Sequence, residues 1–102
     1  MVLNHSPAQS HLKTINTMKT QDTINAVRAW GIAKGITGPD GAATEKAQLE
    51  KLYEEVGELH QAVIDEDKHE KIDAIGDCTV VLILMADIIG VSFESCLTAA
   101  YN

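Results

Sequence analysis

Three glutamates, Glu54, Glu55 and Glu58, crowd the segment KLYEEVGELH, and two aspartates, Asp73 and Asp77, follow in KIDAIGD after a charged break. A helix turns each residue by about 100°, so Glu54, Glu58, Lys51 and Glu55 share an arc of roughly 100°. Leu52, Val56, Leu59 and Val63 occupy the neighbouring arc, flanked by Leu49 and Tyr53. The acids therefore border the apolar stripe, whereas a merely solvated face would lie across from it. By the same arithmetic Glu70, Asp73 and Asp77 share a face of the next segment, being three and four residues apart. Two such helices packed antiparallel would gather these carboxylates in one cleft. Like charges held close in a low-dielectric groove disfavour joint ionisation, so the cleft calls for cations. Hard oxygen ligands select Mg²⁺, Mn²⁺ or Ca²⁺, and Mg²⁺ commonly completes its shell with water and substrate phosphates. An acidic groove can thus hold a nucleoside triphosphate through metal bridges, without a basic pocket.

The elements that must position these acids are all helical, and the predicted class is all-α. Ile24, Val27, Trp30 and their neighbours recur at helical spacing between Asp22 and Ala33, with Asp22 or Thr20 as the N-cap. Trp30, the only tryptophan, has two readings: core packing, or a wall against which a nucleobase stacks. GITGPDGAA, residues 35 to 43, is a loop that could also serve as a lid. Thr44 is the expected cap of a second helix running to about Ile64. Within it Gly57 costs about 1 kcal/mol relative to alanine, which suggests a close approach to the backbone there. DEDKHEK reads as the connection to a third helix beginning near His69 or Glu70. Its run CTVVLILM is rich in β-branched residues, yet Ile72, Ile75, Thr79, Leu82 and Ala86 keep a helical spacing over a length too great for a strand. Gly90 supplies the stop, and Ser92 caps a short fourth helix, with Val91 available as a hydrophobic staple.

At 102 residues the chain makes one small domain, with residues 1–19 expected as a flexible extension and 20–102 as the folded unit. His5 and His11 in that extension are expected in solvent, and His60 lies away from the glutamates. A net charge of −7 and a pI near 4.9 argue against nucleic-acid binding, which needs clustered Lys and Arg. No signal-like segment opens the chain, and the longest apolar stretch, Cys78 to Ala86, is too short to cross a membrane, so the expected location is cytoplasmic. Cys78 and Cys96 read as small buried hydrophobes.

KLYEEVGEL together with KIDAIGDCTVVLILMADIIGVSFESCLTAAYN resembles the MazG-like nucleoside triphosphate pyrophosphohydrolases, in particular their short single-domain phage forms, over residues 20–102. The resemblance implies an all-α, four-helix-bundle-like domain assembled as a homodimer or homotetramer. It also implies Mg²⁺, or Mn²⁺, as cofactor and hydrolysis of nucleoside or deoxynucleoside triphosphates to monophosphate and pyrophosphate. The family pattern E-E-x-x-E falls on Glu54, Glu55 and Glu58, and the final aspartate of E-x-x-D falls on Asp77. On this basis the metal ligands are Glu54, Glu55, Glu58 and Asp77, with Glu54 or Glu55 as the base. Cations would activate water and stabilise charge developing on the phosphoryl oxygens.

Two departures stand out. Ala74 occupies the place of the pattern's second-helix glutamate, and Asp73, roughly 40° from Asp77 on the wheel, is the expected substitute ligand. Relatives also continue beyond the Tyr-Asn matched by Tyr101 and Asn102 into a basic stretch that grips the nucleotide. Here the substrate contacts fall to Lys51, Trp30, Tyr101 and Asn102, and the domain reads as shortened. The alternative is a non-catalytic helical oligomerisation or regulatory module that keeps the fold with an incomplete metal site. A carboxylate-bridged di-iron bundle would need Glu-x-x-His on two helices, and only Glu66 to His69 offers it.

Overall fold

A computed structural model of the chain describes residues 18–102. Most of the expected extension, with His5 and His11, lies outside the described residues. Four helices follow in order, α1 Thr20–Ala33, α2 Glu45–Ile64, α3 Lys68–Ile89 and α4 Phe93–Tyr101, and there is no strand among the described residues. The β-branched run of α3 is thus helical throughout, as its spacing predicts.

Local signals explain most boundaries. Thr44 accepts a hydrogen bond from the Ala47 amide at 3.1 Å and Ser92 accepts one from the Ser95 amide at 3.1 Å, each covering a free N–H of a first turn. Gly90 ends α3 at φ 84°, a left-handed conformation that glycine adopts without the Cβ penalty. Two starts differ from expectation. Helix α1 begins at Thr20 with Lys19 before it and no side-chain cap, so neither Asp22 nor Thr20 caps it. Helix α3 begins at Lys68, because Asp67 accepts from the Glu70 amide and draws the charged residues Lys68 to Lys71 into the first turn. Only Asp65, Glu66 and Asp67 remain as the link, with Glu66 at φ 53°.

The 34–44 loop is held down instead of free. Its Ile36 and Thr37 amides bond to the Gly31 carbonyl, and Thr37 is buried. A Cβ on Gly41 would stand 2.6 Å from the Thr37 carbonyl carbon, so this turn admits only glycine. These ties do not suit a lid.

The core centres on α3. Val80, Val81, Ile83 and Leu84 are buried with Val27 of α1, and Ile24, Trp30, Ile36, Leu52 and Phe93 pack around them. The α2–α3 hairpin is antiparallel: the Gln48 side chain reaches the Val81 carbonyl at 3.1 Å, while Glu55, further along α2, meets Asp77, further back along α3. Which side of α2 faces inward departs from the sequence reading. Gln48, Glu55 and Ala62 are its buried residues, spaced by seven, with Leu52 and Leu59 half-buried between them. Leu49, Tyr53, Val56 and Val63 remain exposed. The small Ala62 and Ala74 are both buried, Gln48 has its polar group satisfied, and the inward face is therefore rotated towards the glutamates. On α3, similarly, Ile72, Ile75 and Leu82 of the expected apolar spacing point outward. Cys78 is half-buried and Cys96 exposed, and both are free thiols. Exposure of Cys96 corrects its reading as a core residue.

Candidate metal centre

Glu55 sits at the middle of α2 on the side pressed against α3, and it is 0 % exposed. One turn on, Glu58 projects from the edge of the same contact, and Asp77 reaches it from the first half of α3. One carboxylate oxygen from each of Glu55, Glu58 and Asp77 lies within 4.8 Å of the other two. Sequence spacing placed these three together, and the structure does so within one protomer.

The electrostatics are those of carboxyls crowded together out of water. Both Glu55 oxygens are buried without a hydrogen-bond partner among the described residues, where the only other such side-chain oxygen belongs to Thr37. An isolated buried carboxylate is costly to ionise. Burial first, then the Glu58 carboxyl beside it and the charges of Asp77 and Glu54, push the Glu55 carboxyl up to about 8. Asp77 rises to about 6, again chiefly through burial, with Asp73, Glu58 and Glu70 adding repulsion. The neighbouring Cys78 thiol is raised too, by burial and by Glu55, Asp77 and Glu58. No cationic side chain among the described residues offsets these shifts.

A divalent ion fits this donor set. The ligand atoms are hard oxygens, they converge from two helices, and a cation would supply the partner that both buried oxygens of Glu55 lack among the described residues. Glu55, Glu58 and Asp77 are the residues that could hold it.

The remaining candidates are placed differently. Glu54 is exposed beside Glu55, near enough for its charge to act on it but outside the group of three. Asp73 is also exposed and outside that group; its carboxylate faces His69 at 3.6 Å, one turn back on α3. Ala74 is buried, so the place where the pattern has glutamate points inward, not to solvent. Lys51, one turn before Glu55, is half-buried and forms no ion pair among the described residues. Trp30 packs against the core cluster, which favours the first of its two readings. Tyr101, 90 % exposed at the end of α4, and Asn102 beyond it are not brought to the acids: α4 packs along the later half of α3, past Asp77. Gly57 has open space where a Cβ would stand, so no part of this protomer makes the close approach expected there. Sequence reasoning missed the inward side chain of Gln48 and the nearness of Cys78 to the acids. The seven-residue spacing of Gln48, Glu55 and Ala62 was the available signal for the first.

A comparison with known families fits this geometry. The family model for phosphoribosyl-ATP pyrophosphohydrolase (PRA-PH) matches residues 38–100. The chain belongs to that family. The PRA-PH match takes in the three acids, all of α2 and α3 and most of α4, and leaves α1 outside it. PRA-PH proteins fall within the MazG-like all-α NTP pyrophosphatase superfamily, the level at which match and sequence resemblance meet. Membership points to a pyrophosphohydrolase, a hydrolase of phosphoanhydride bonds. No curated protein and no solved structure matches the chain.

Proposed function

We propose that this protein hydrolyses nucleoside or deoxynucleoside triphosphates, using Mg²⁺ held by Glu55, Glu58 and Asp77. Water adds at a phosphorus of the α–β anhydride, the bridging P–O bond breaks, and monophosphate and pyrophosphate leave. The observation that carries this reading is Glu55, a carboxylate with both oxygens buried and unpartnered, aimed at two further acids. PRA-PH membership supports the reaction class. The bound cation, Mg²⁺ or Mn²⁺, supplies charge neutralisation on the phosphates and a more acidic water.

The chain's own groups divide the remaining work. Glu55 and Asp77, the more buried pair, give up their protons to become ligands. Glu54, exposed beside them, accepts the proton of the attacking water. Lys51, one turn from Glu55 and without an acidic partner among the described residues, is placed to meet a phosphate oxygen.

The test is pyrophosphate release in Mg²⁺ from each common NTP and dNTP and from phosphoribosyl-ATP, the substrate in the family's name, with Glu55→Gln beside the native chain. Release that the variant loses supports the reading, and the panel identifies the substrate. Mn²⁺ bound at this site with no release from any substrate would turn the assignment to a non-catalytic module, a reading that buried Ala74 and a set of only three carboxylates favours.

A further inference from the structure

Two seven-residue repeats compete for the inward side of α2. Gln48, Glu55 and Ala62 face α3, while Leu49, Val56 and Val63, each one residue on, repeat the same spacing turned by about 100° and stay exposed. The second set is the more apolar. Turning it inward would bury more hydrocarbon and release the Glu55 carboxyl to water, so non-directional burial disfavours the rotation observed. A directional contact must select it. Among the described residues, one side chain makes a hydrogen bond between the two helices: the Gln48 amide, 5 % exposed, donates to the Val81 carbonyl at 3.1 Å.

The register that follows is regular. Seven residues on from Gln48 is Glu55, and seven back from Val81 is Ala74; a further seven on each helix brings Ala62 to Asp67, whose amide bonds to the Ala62 carbonyl at 3.1 Å. Ala74 is buried, and its small side chain opposite Glu55 leaves the carboxyl room one turn from Asp77. The short link holds only the Ala62 end of α2. Gln48 holds the other end, as a single polar residue in an apolar helix seam fixes alignment at some cost in stability.

We infer that Gln48 is a positioning residue for the three acids: its hydrogen bond to Val81 sets the rotation of α2 that aims Glu55 at Asp77, and without it Leu49 and Val56 turn inward and Glu55 turns out. Gln48 acts through Glu55, two turns away, and is not itself a ligand. Its consequence for cation binding rests on the metal reading above; its placement of Glu55 does not.

Gln48→Met tests this, because methionine is of similar length, keeps the space filled and cannot donate. Carbodiimide labelling of carboxyls in chelator, read by mass spectrometry, follows Glu55 against its exposed neighbour Glu54. In the native chain and in the exposed-site control Gln61→Met, Glu55 should label at least about tenfold more slowly than Glu54. In Gln48→Met, with helical circular dichroism retained, the two should label alike. Where the native chain binds Mn²⁺, its affinity by electron paramagnetic resonance should fall about tenfold in Gln48→Met and stay native in the control. A Glu55 that remains protected in the folded variant overturns the inference, and so does an unchanged Mn²⁺ affinity there. A native chain that binds no Mn²⁺, with the labelling result intact, overturns the metal reading and supports Gln48 as the residue that places Glu55. Should Gln48→Met unfold, hydrogen exchange of the native Gln48 side-chain amide decides: exchange about 100-fold slower than that of Gln61 supports the pin, and equally fast exchange overturns it.

Discussion

Helix α3 carries two acidic neighbourhoods in opposite electrostatic circumstances. Near its end, Asp87 stands 3.6 Å from Arg28 of α1, and Arg28 also pairs with Glu94 of α4. The guanidinium, with Gln21 assisting, draws Glu94 down to about 2, while burial keeps Asp87 above its ordinary value against the pull of the same guanidinium. Nearer its start, Asp77 shares its surroundings with Glu55 and Glu58, and no Lys or Arg among the described residues pairs with them. There the shifts run upward, to about 8 for Glu55. A carboxylate given its counter-charge by the chain ties helices together, and Arg28 does this for α1, α3 and α4. Carboxylates gathered without one raise the free energy of the fold, and the arrangement makes sense when the cation comes from outside.

The comparison can be broken most severely at Glu55. Replacing it by glutamine should cut pyrophosphate release by about 100-fold or more, because a cation ligand that acts in the transition state is lost. In chelator the same variant should melt higher than the native chain, as a neutral amide no longer risks burying a charge. Arg28→Ala should do the reverse. Its thermal midpoint should drop by roughly 5 °C while turnover per folded molecule is unchanged. A variant of Arg28 that melted normally and lost activity would erase the distinction between the two neighbourhoods.

Proton linkage sharpens the contrast, since the two groups give opposite signs. Glu55 ionises near 4.5 when unfolded and at about 8 when folded, so between these values the folded protein holds a proton that the unfolded chain has released. Metal-free stability should therefore fall as pH rises from about 4.5 to about 8, with Asp77 adding a decline between about 4 and about 6. Glu94, depressed to about 2, contributes stability above about 4.5 that is lost as pH falls towards 2. Thermal melts in chelator should show the first decline reduced to the Asp77 portion in Glu55→Gln, and melts of the native chain in saturating Mg²⁺ without chelator should not show it. The smallest effect is expected from Ala74→Glu, which adds a carboxylate one turn from Asp77 on the inward side. Titration calorimetry should show Mg²⁺ affinity rising a few-fold, and metal-free stability falling.

Much of this was legible in the sequence because it depends on spacing. Helix number, the Thr44, Ser92 and Gly90 boundaries, and the meeting of Glu55 and Glu58 with Asp77 all follow from local chemistry and the helical repeat. The inward face of α2 did not follow. An apolar stripe of Leu49, Val56 and Val63 reads as core by hydropathy, yet the neighbour that α3 provides sits on the Gln48, Glu55 and Ala62 side. Hydropathy ranks faces but does not say which neighbour, in or beyond the protomer, each will meet. Asp73 illustrates a second limit, since its wheel position is compatible with the cleft while its carboxylate faces His69.

The link between α2 and α3 is three residues long, with Glu66 in a left-handed conformation and the Asp67 amide bonded back to the Ala62 carbonyl. That brevity sets the rotational phase of one helix against the other. A single residue inserted there and absorbed into α3 would swing Asp77 by about 100° and carry it off Glu55 while leaving the helices whole. Spacer length is thus as much a part of the proposed active site as the acids, although no atom of the spacer reaches it.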